Sequence, residues 1–147
     1  MTIAHDLEEL DQFHDGSFQG FWIDGGTAHL QLVTDGKEPF TAVARGVVAL
    51  SAGGFRAGSI VFEVTIREGE EISLDDIKQM HDLMEGPGGE AQGIAHLDKA
   101  RRQALVLFEV SSSYGATCML LAQSVELLPR HEWLQRYCTD SLKSPES

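Results

Sequence analysis

Three of the six histidines are followed directly by an aspartate: His5-Asp6, His14-Asp15 and His81-Asp82. A neutral imidazole and a carboxylate are both good ligands for a divalent ion, and together they can also move a proton. The pair that raises the question most directly is His14-Asp15 in "QFHDGSF", Gln12 to Phe18, where Asp15-Gly16 is at the same time a turn dipeptide. Two readings stand for it. In one, Asp15 accepts hydrogen bonds from backbone amides at the entry to a strand, with Phe13 as the apolar anchor. In the other, His14 and Asp15 line a site, with Arg56 holding a carboxylate or phosphate through its planar fork.

Other chemistry-bearing patterns fail on context. His131-Glu132-Trp133-Leu134-Gln135 begins like a zinc-protease helix, but Gln135 stands where the second imidazole is required. Gly86-Pro87-Gly88-Gly89-Glu90-Ala91 has the letters of a dinucleotide fingerprint. It follows a predicted helix rather than a strand and reads as a flexible loop. A His-Asp dipeptide also marks metal-dependent phosphohydrolases of the HD type, whose ligands sit on a bundle of helices. Only His81-Asp82 falls on a predicted helix, and neighbouring residues there diverge by roughly 100°. No GxSxG elbow is present, and Ser111 to Gly115, "SSSYG", reads as a hairpin turn. No metal and no cofactor is expected.

Charge narrows the partners. The formal net charge is −12, with seven carboxylates and no Lys or Arg in residues 1–36, and nine carboxylates against Arg67 and Lys78 between Glu63 and Glu90. Such a surface repels phosphate backbones; it favours a basic protein partner or simply solubility, the second being the commoner explanation. Cys118 and Cys138 form neither a disulfide framework nor a metal-ligand spacing, as expected of reduced thiols in a cytoplasmic protein. The first residues show no secretory pattern, and no apolar run approaches the roughly 18 residues of a membrane span.

These residues need a scaffold. The chain contains no asparagine, so turns fall to Gly and Asp-Gly, as at Asp24-Gly25-Gly26 and Asp35-Gly36. Between and beyond them, alternation predicts strands at Ser17–Ile23, Thr27–Thr34, Phe40–Leu50, Ser59–Arg67, Gln103–Ser111 and Ala116–Leu128. In "SIVFEVTIR", Ile60, Phe62, Val64 and Ile66 are expected on the buried face. Ser73 followed by Asp75 and Asp76 starts the main helix, residues 73–85, with an apolar stripe of Leu74, Ile77, Met80, His81 and Met84. Residues 86–102 read as one long irregular loop. Pro129 opens a short C-terminal helix. The expectation is one α+β domain over residues 1–140, a mostly antiparallel twisted sheet of about six strands, with a frayed tail at 141–147. Strands as apolar as "ATCMLLA" suggest pairing with a second copy of the chain.

"FHDGSFQGFWID" followed by "VARGVVALSAGGFRAGSIVFEVTI" resembles a group of small bacterial proteins of unknown function. The likeness rests on Phe13, His14 and Asp15 before the first strand. It continues with Phe55, Arg56 and Gly58 in a Gly-Phe-Arg-x-Gly turn leading to Ile60, and spans roughly residues 10 to 85. Some similar proteins look like immunity proteins, the antidotes of bacterial toxins. The resemblance implies a non-enzymatic, partner-binding bacterial domain. The alternative is a small metal-assisted hydrolase or ligand-binding domain centred on His14, Asp15 and Arg56. Asp15 and Arg56, each beside an aromatic anchor, are expected to meet as an ion pair.

Overall fold

A computed structural model describes residues 10–53, 60–112 and 117–138. The expected tail at 141–147, the His5-Asp6 pair, most of the "SSSYG" turn and the Gly-Phe-Arg turn with Phe55 and Arg56 lie outside the described residues.

The chain is α+β, as expected, but builds two four-stranded antiparallel sheets instead of one sheet of about six strands. Sheet one runs β1 (Ser17–Asp24), β2 (Thr27–Val33), β3 (Pro39–Arg45), β8 (Ser124–Pro129). Sheet two runs β4 (Ala49–Gly53), β7 (Thr117–Ala122), β6 (Val106–Ser112), β5 (Val61–Glu68). The difference arises at one corner. Two of the long predicted strands, Phe40–Leu50 and Ala116–Leu128, are each broken once, at Gly46 and at Gln123. Gly46 takes a left-handed conformation, φ 66°, and the Gln123 amide donates to Arg45 O at 2.9 Å and to Gly46 O at 3.2 Å. Two paired strands therefore turn together from one sheet into the other, and alternation alone does not mark a turn of that kind.

Layering follows from which residues face which way. Ala28, Leu30, Leu32, Ala42 and Ala44 of sheet one meet Val61, Val64, Val106, Phe108, Val110, Cys118, Leu120 and Ala122 of sheet two. The opposite face of sheet two, with Leu107, Met119 and Leu121, packs against Ile77 and Met80 of α1 (Leu74–His81) and Ala100 of α2 (Pro87–Arg102). The opposite face of sheet one carries Val43 and Leu128 under Trp133 of α3 (Arg130–Tyr137). Each sheet is thus covered on both sides, which is the physical reason "TCMLLA" is apolar without interruption: Cys118 and Leu120 face one layer, Met119 and Leu121 the other. Apolarity of that strand is accounted for within one chain.

Residue-level expectations fared unevenly. Ser73 caps α1 as read, its Oγ accepting from Asp76 N at 3.0 Å while Asp76 Oδ2 accepts from Ser73 N at 3.1 Å. The helix nevertheless stops at His81, with Asp82 left-handed at φ 51°, and Met84 is 80% exposed instead of completing the stripe. In β5 a bulge between Val61 and Glu63 shifts the alternation, so Val61 and Val64 are buried while Ile60 is exposed. Arg67 of β5 ties sheet two to α1 through Asp76 at 3.2 Å and pairs within the sheet with Glu109 of β6 at 2.6 Å. Among the described residues, no helix is long and apolar enough to cross a membrane.

The clearest correction is residues 86–102, where a loop was expected and the sixteen-residue helix Pro87–Arg102 forms. Gly88, Gly89 and Gly93 lower helix propensity, yet Pro87 sits at the first helical turn, where its missing N–H is no loss. Gly89 is there for space. A Cβ on it would stand 1.7 Å from Met84 O, whereas a Cβ on Gly88 meets nothing within 4 Å. Gly88→Ala should therefore stabilise the protein by up to about 1 kcal/mol through propensity alone. Gly89→Ala should destabilise it despite the same propensity gain. Denaturant midpoints of the two variants check this, and equal shifts of the same sign would refute the close approach.

Candidate functional site

The Phe-His-Asp-Gly turn closes one end of the inter-sheet core. Phe13 is fully buried and meets Phe40 edge-on at 5.6 Å. The backbone then leaves the core through Asp15, left-handed at φ 67°, whose N–H donates to Val61 O at 2.9 Å. Val61 N returns a bond to Gly16 O at 3.0 Å, and Ser17 bridges Ile60, so this turn joins β1 to β5. Gly16 has no room for a side chain, since its Cβ would lie 2.1 Å from Val33 O. His14 and Asp15 themselves face outward, with side chains 58% and 65% exposed and His14 Nε2 3.8 Å from Asp15 Oδ2. Beside them lies a cavity of about 400 Å³ lined by Leu10, Asp11, His14, Glu63 and Val64. His14 and Asp15 are therefore adjacent. Arg56, their expected third member, lies outside the described residues. Among the described residues, no group of three or more His, Cys, Asp or Glu side chains is placed to hold a metal ion.

A second constellation occupies the outer face of sheet one. Strand alternation sends His29 and Gln31 outward, as expected, but α3 covers His29, which is only 3% exposed. Trp133 Nε1 donates to His29 Nδ1 at 3.0 Å, which requires that nitrogen to be unprotonated and puts the ring's one proton on Nε2. Trp22, cross-strand from His29, stacks on it at 4.8 Å, and Tyr137 meets it edge-on at 5.0 Å. Arg45 reaches Tyr137 Oη and pairs with Glu126 at 3.2 Å, so α3 is pinned to β3 and β8. Burial is the main influence holding the His29 pKa below its usual value; Asp24 opposes it and Arg45 adds to it. Arg130, at the start of α3, donates to Leu32 O at 3.2 Å, Phe40 O at 3.0 Å and Gln19 Oε1 at 3.1 Å. This cluster escaped sequence reading. Its one visible signal was the aromatic content of "HEWLQRY", which fits a buried helix face as readily.

Among the described residues, one exposed apolar run is the tip of β1. Phe21, Trp22 and Ile23 are 38%, 44% and 50% exposed, three consecutive large apolar residues on an outer strand. On its open side, β1 meets a strand among the described residues only at the Ser17–Ile60 bridge. The charges of residues 10–36 are all negative, namely Asp11, Asp15, Asp24 and Asp35.

Two outcomes distinguish structure from chemistry here. Because Asp15 is left-handed, Asp15→Gly should leave stability intact and Asp15→Ala should cost about 1 kcal/mol; an equal loss in both would instead mean that the carboxylate itself is needed. For His29, the folded pKa lies below the ordinary 6.5, so its stabilising contribution is complete above that value. It is lost as pH falls from about 6.5 toward the lowered folded value, because the unfolded chain takes up the proton first. Both tryptophans of the chain contact His29, so their fluorescence should report this acid transition, and His29→Phe should abolish it. Comparison with protein-family models gave no match, and neither did comparison with curated proteins or with solved structures.

Proposed function

We propose that this chain is a non-enzymatic binding domain that offers the tip of β1 to a basic protein partner, in the manner of an immunity-type antidote in a bacterial cytoplasm. The observation that carries the reading is the run Phe21-Trp22-Ile23, exposed on an outer strand and followed directly by Asp24. Phe21 and Ile23, opposite Leu30 and Ala28, share one face of β1, with Trp22 on the other beside His29, and exposed apolar residues of this kind are characteristic of interaction surfaces. The carboxylates around it supply steering, and the formal charge of −12 makes a cationic partner the complementary one.

A second reading rests on a separate observation, the cavity beside His14. Asp11 and Glu63 give it negative charge while Leu10 and Val64 give it apolar wall, so a ligand-binding domain would take a small cationic molecule there, with His14 on its wall.

Affinity capture on the parent protein and on a Phe21→Ser/Ile23→Ser variant tests the first reading. A basic protein should be retained by the parent, released by 0.5 M salt in the manner of a screened ionic contact, and rebound when both components are purified. The variant should melt within a few degrees of the parent and lose at least tenfold in affinity. Equal binding by both would move the interface elsewhere.

A further inference from the structure

The pairing of α1 with α2 brings together two histidines that sequence reading kept apart, one assigned to a helix and one to a loop. Leu74, Lys78 and His81 fall on one face of α1 at intervals of four and three residues, and Gly93 and His96 fall three apart on α2. Gly93 lets the helices approach, since a Cβ there would stand 2.9 Å from Leu74 Cδ1 and 3.1 Å from Lys78 Cγ. One turn further along, the His81 and His96 rings lie 4.0 Å apart, centroid to centroid, and within 12° of parallel. Lys78, the nearest cation on that face of α1, is paired with Glu85 at 3.9 Å.

We propose that His81 and His96 form a two-histidine site for a borderline divalent transition ion, zinc, nickel or copper(II), which clamps α1 to α2. Two imidazole nitrogens bound to one tetrahedral ion at 2.0–2.1 Å stand about 3.3 Å apart. The stacked rings direct their in-plane nitrogen lone pairs along nearly parallel lines, so each ring must first turn about its Cβ–Cγ bond for the two nitrogens to converge on one ion. No third His, Cys, Asp or Glu joins them among the described residues, so the remaining positions belong to water. Such a site binds exchangeably and prefers ions that favour imidazole; calcium and magnesium, which require oxygen ligands, are excluded. It is independent of the partner surface on β1, and of the His-Asp pairing, since Asp82 lies past the end of α1.

Melting of the full chain tests the site. Saturating zinc or nickel should raise the melting temperature by about 5 °C or more, and calcium or magnesium should leave it unchanged. His81→Gln and His96→Gln should each remove the rise, and His131→Gln should retain it. Substoichiometric copper(II) added to the unmodified protein should broaden the imidazole signals of His81 and His96 before those of any other histidine. The site is refuted by the absence of a rise with both ions, by a rise that survives in either glutamine variant, or by broadening that starts elsewhere.

Discussion

At the corner where Gln123 bonds both Arg45 O and Gly46 O, two long strands leave one sheet and enter the other side by side. Every other feature of the arrangement depends on that turn. It stacks the sheets face to face, so their inner residues form one core, and it leaves each outer face to be covered separately. Helices α1 and α2 cover sheet two, and α3 covers sheet one. The turn at Phe13 to Gly16 then fastens β1 to β5 across the far side through Asp15, Gly16 and Val61. That fastening lies at the start of β1; at its far end, still paired with β2, Phe21, Trp22 and Ile23 are partly exposed.

The Phe-His-Asp motif acquires a physical meaning from this position. Phe13 is a plug, Asp15 is a left-handed exit that only Gly, Asn or Asp makes easily, and Gly16 is a point of contact with Val33. Those three roles explain the local sequence without a ligand. His14, whose N–H donates to Asp11 O at 3.1 Å, lines the cavity with Asp11 and Glu63.

How far the sequence was legible follows from which forces act locally. Alternation gave the β1–β2 hairpin and the outward direction of His29, and the Ser73 capping box was readable because its partners are three residues apart. Gly46 and Gln123 were not legible as a corner, because the bond that makes it joins residues 77 apart, from 46 to 123, and neither residue is marked by its own neighbours. Residues 86–102 were misread for a related reason. Gly93 answers to Leu74 and Lys78, which only the folded chain brings close, and Gly89 to the Met84 carbonyl in the turn before the helix. The two histidine clusters share this origin: His29 meets Trp133, and His81 meets His96, by packing of helices whose positions no local pattern specifies.

Backbone amide exchange, measured residue by residue with and without the basic partner, would test most directly whether β1 is the working surface. Protection on binding is expected across Phe21 to Asp24, with the amides of Leu10, Asp11, Glu63 and Val64 unchanged. Protection confined to the residues of the His14 cavity, with β1 unaffected, would contradict the assignment.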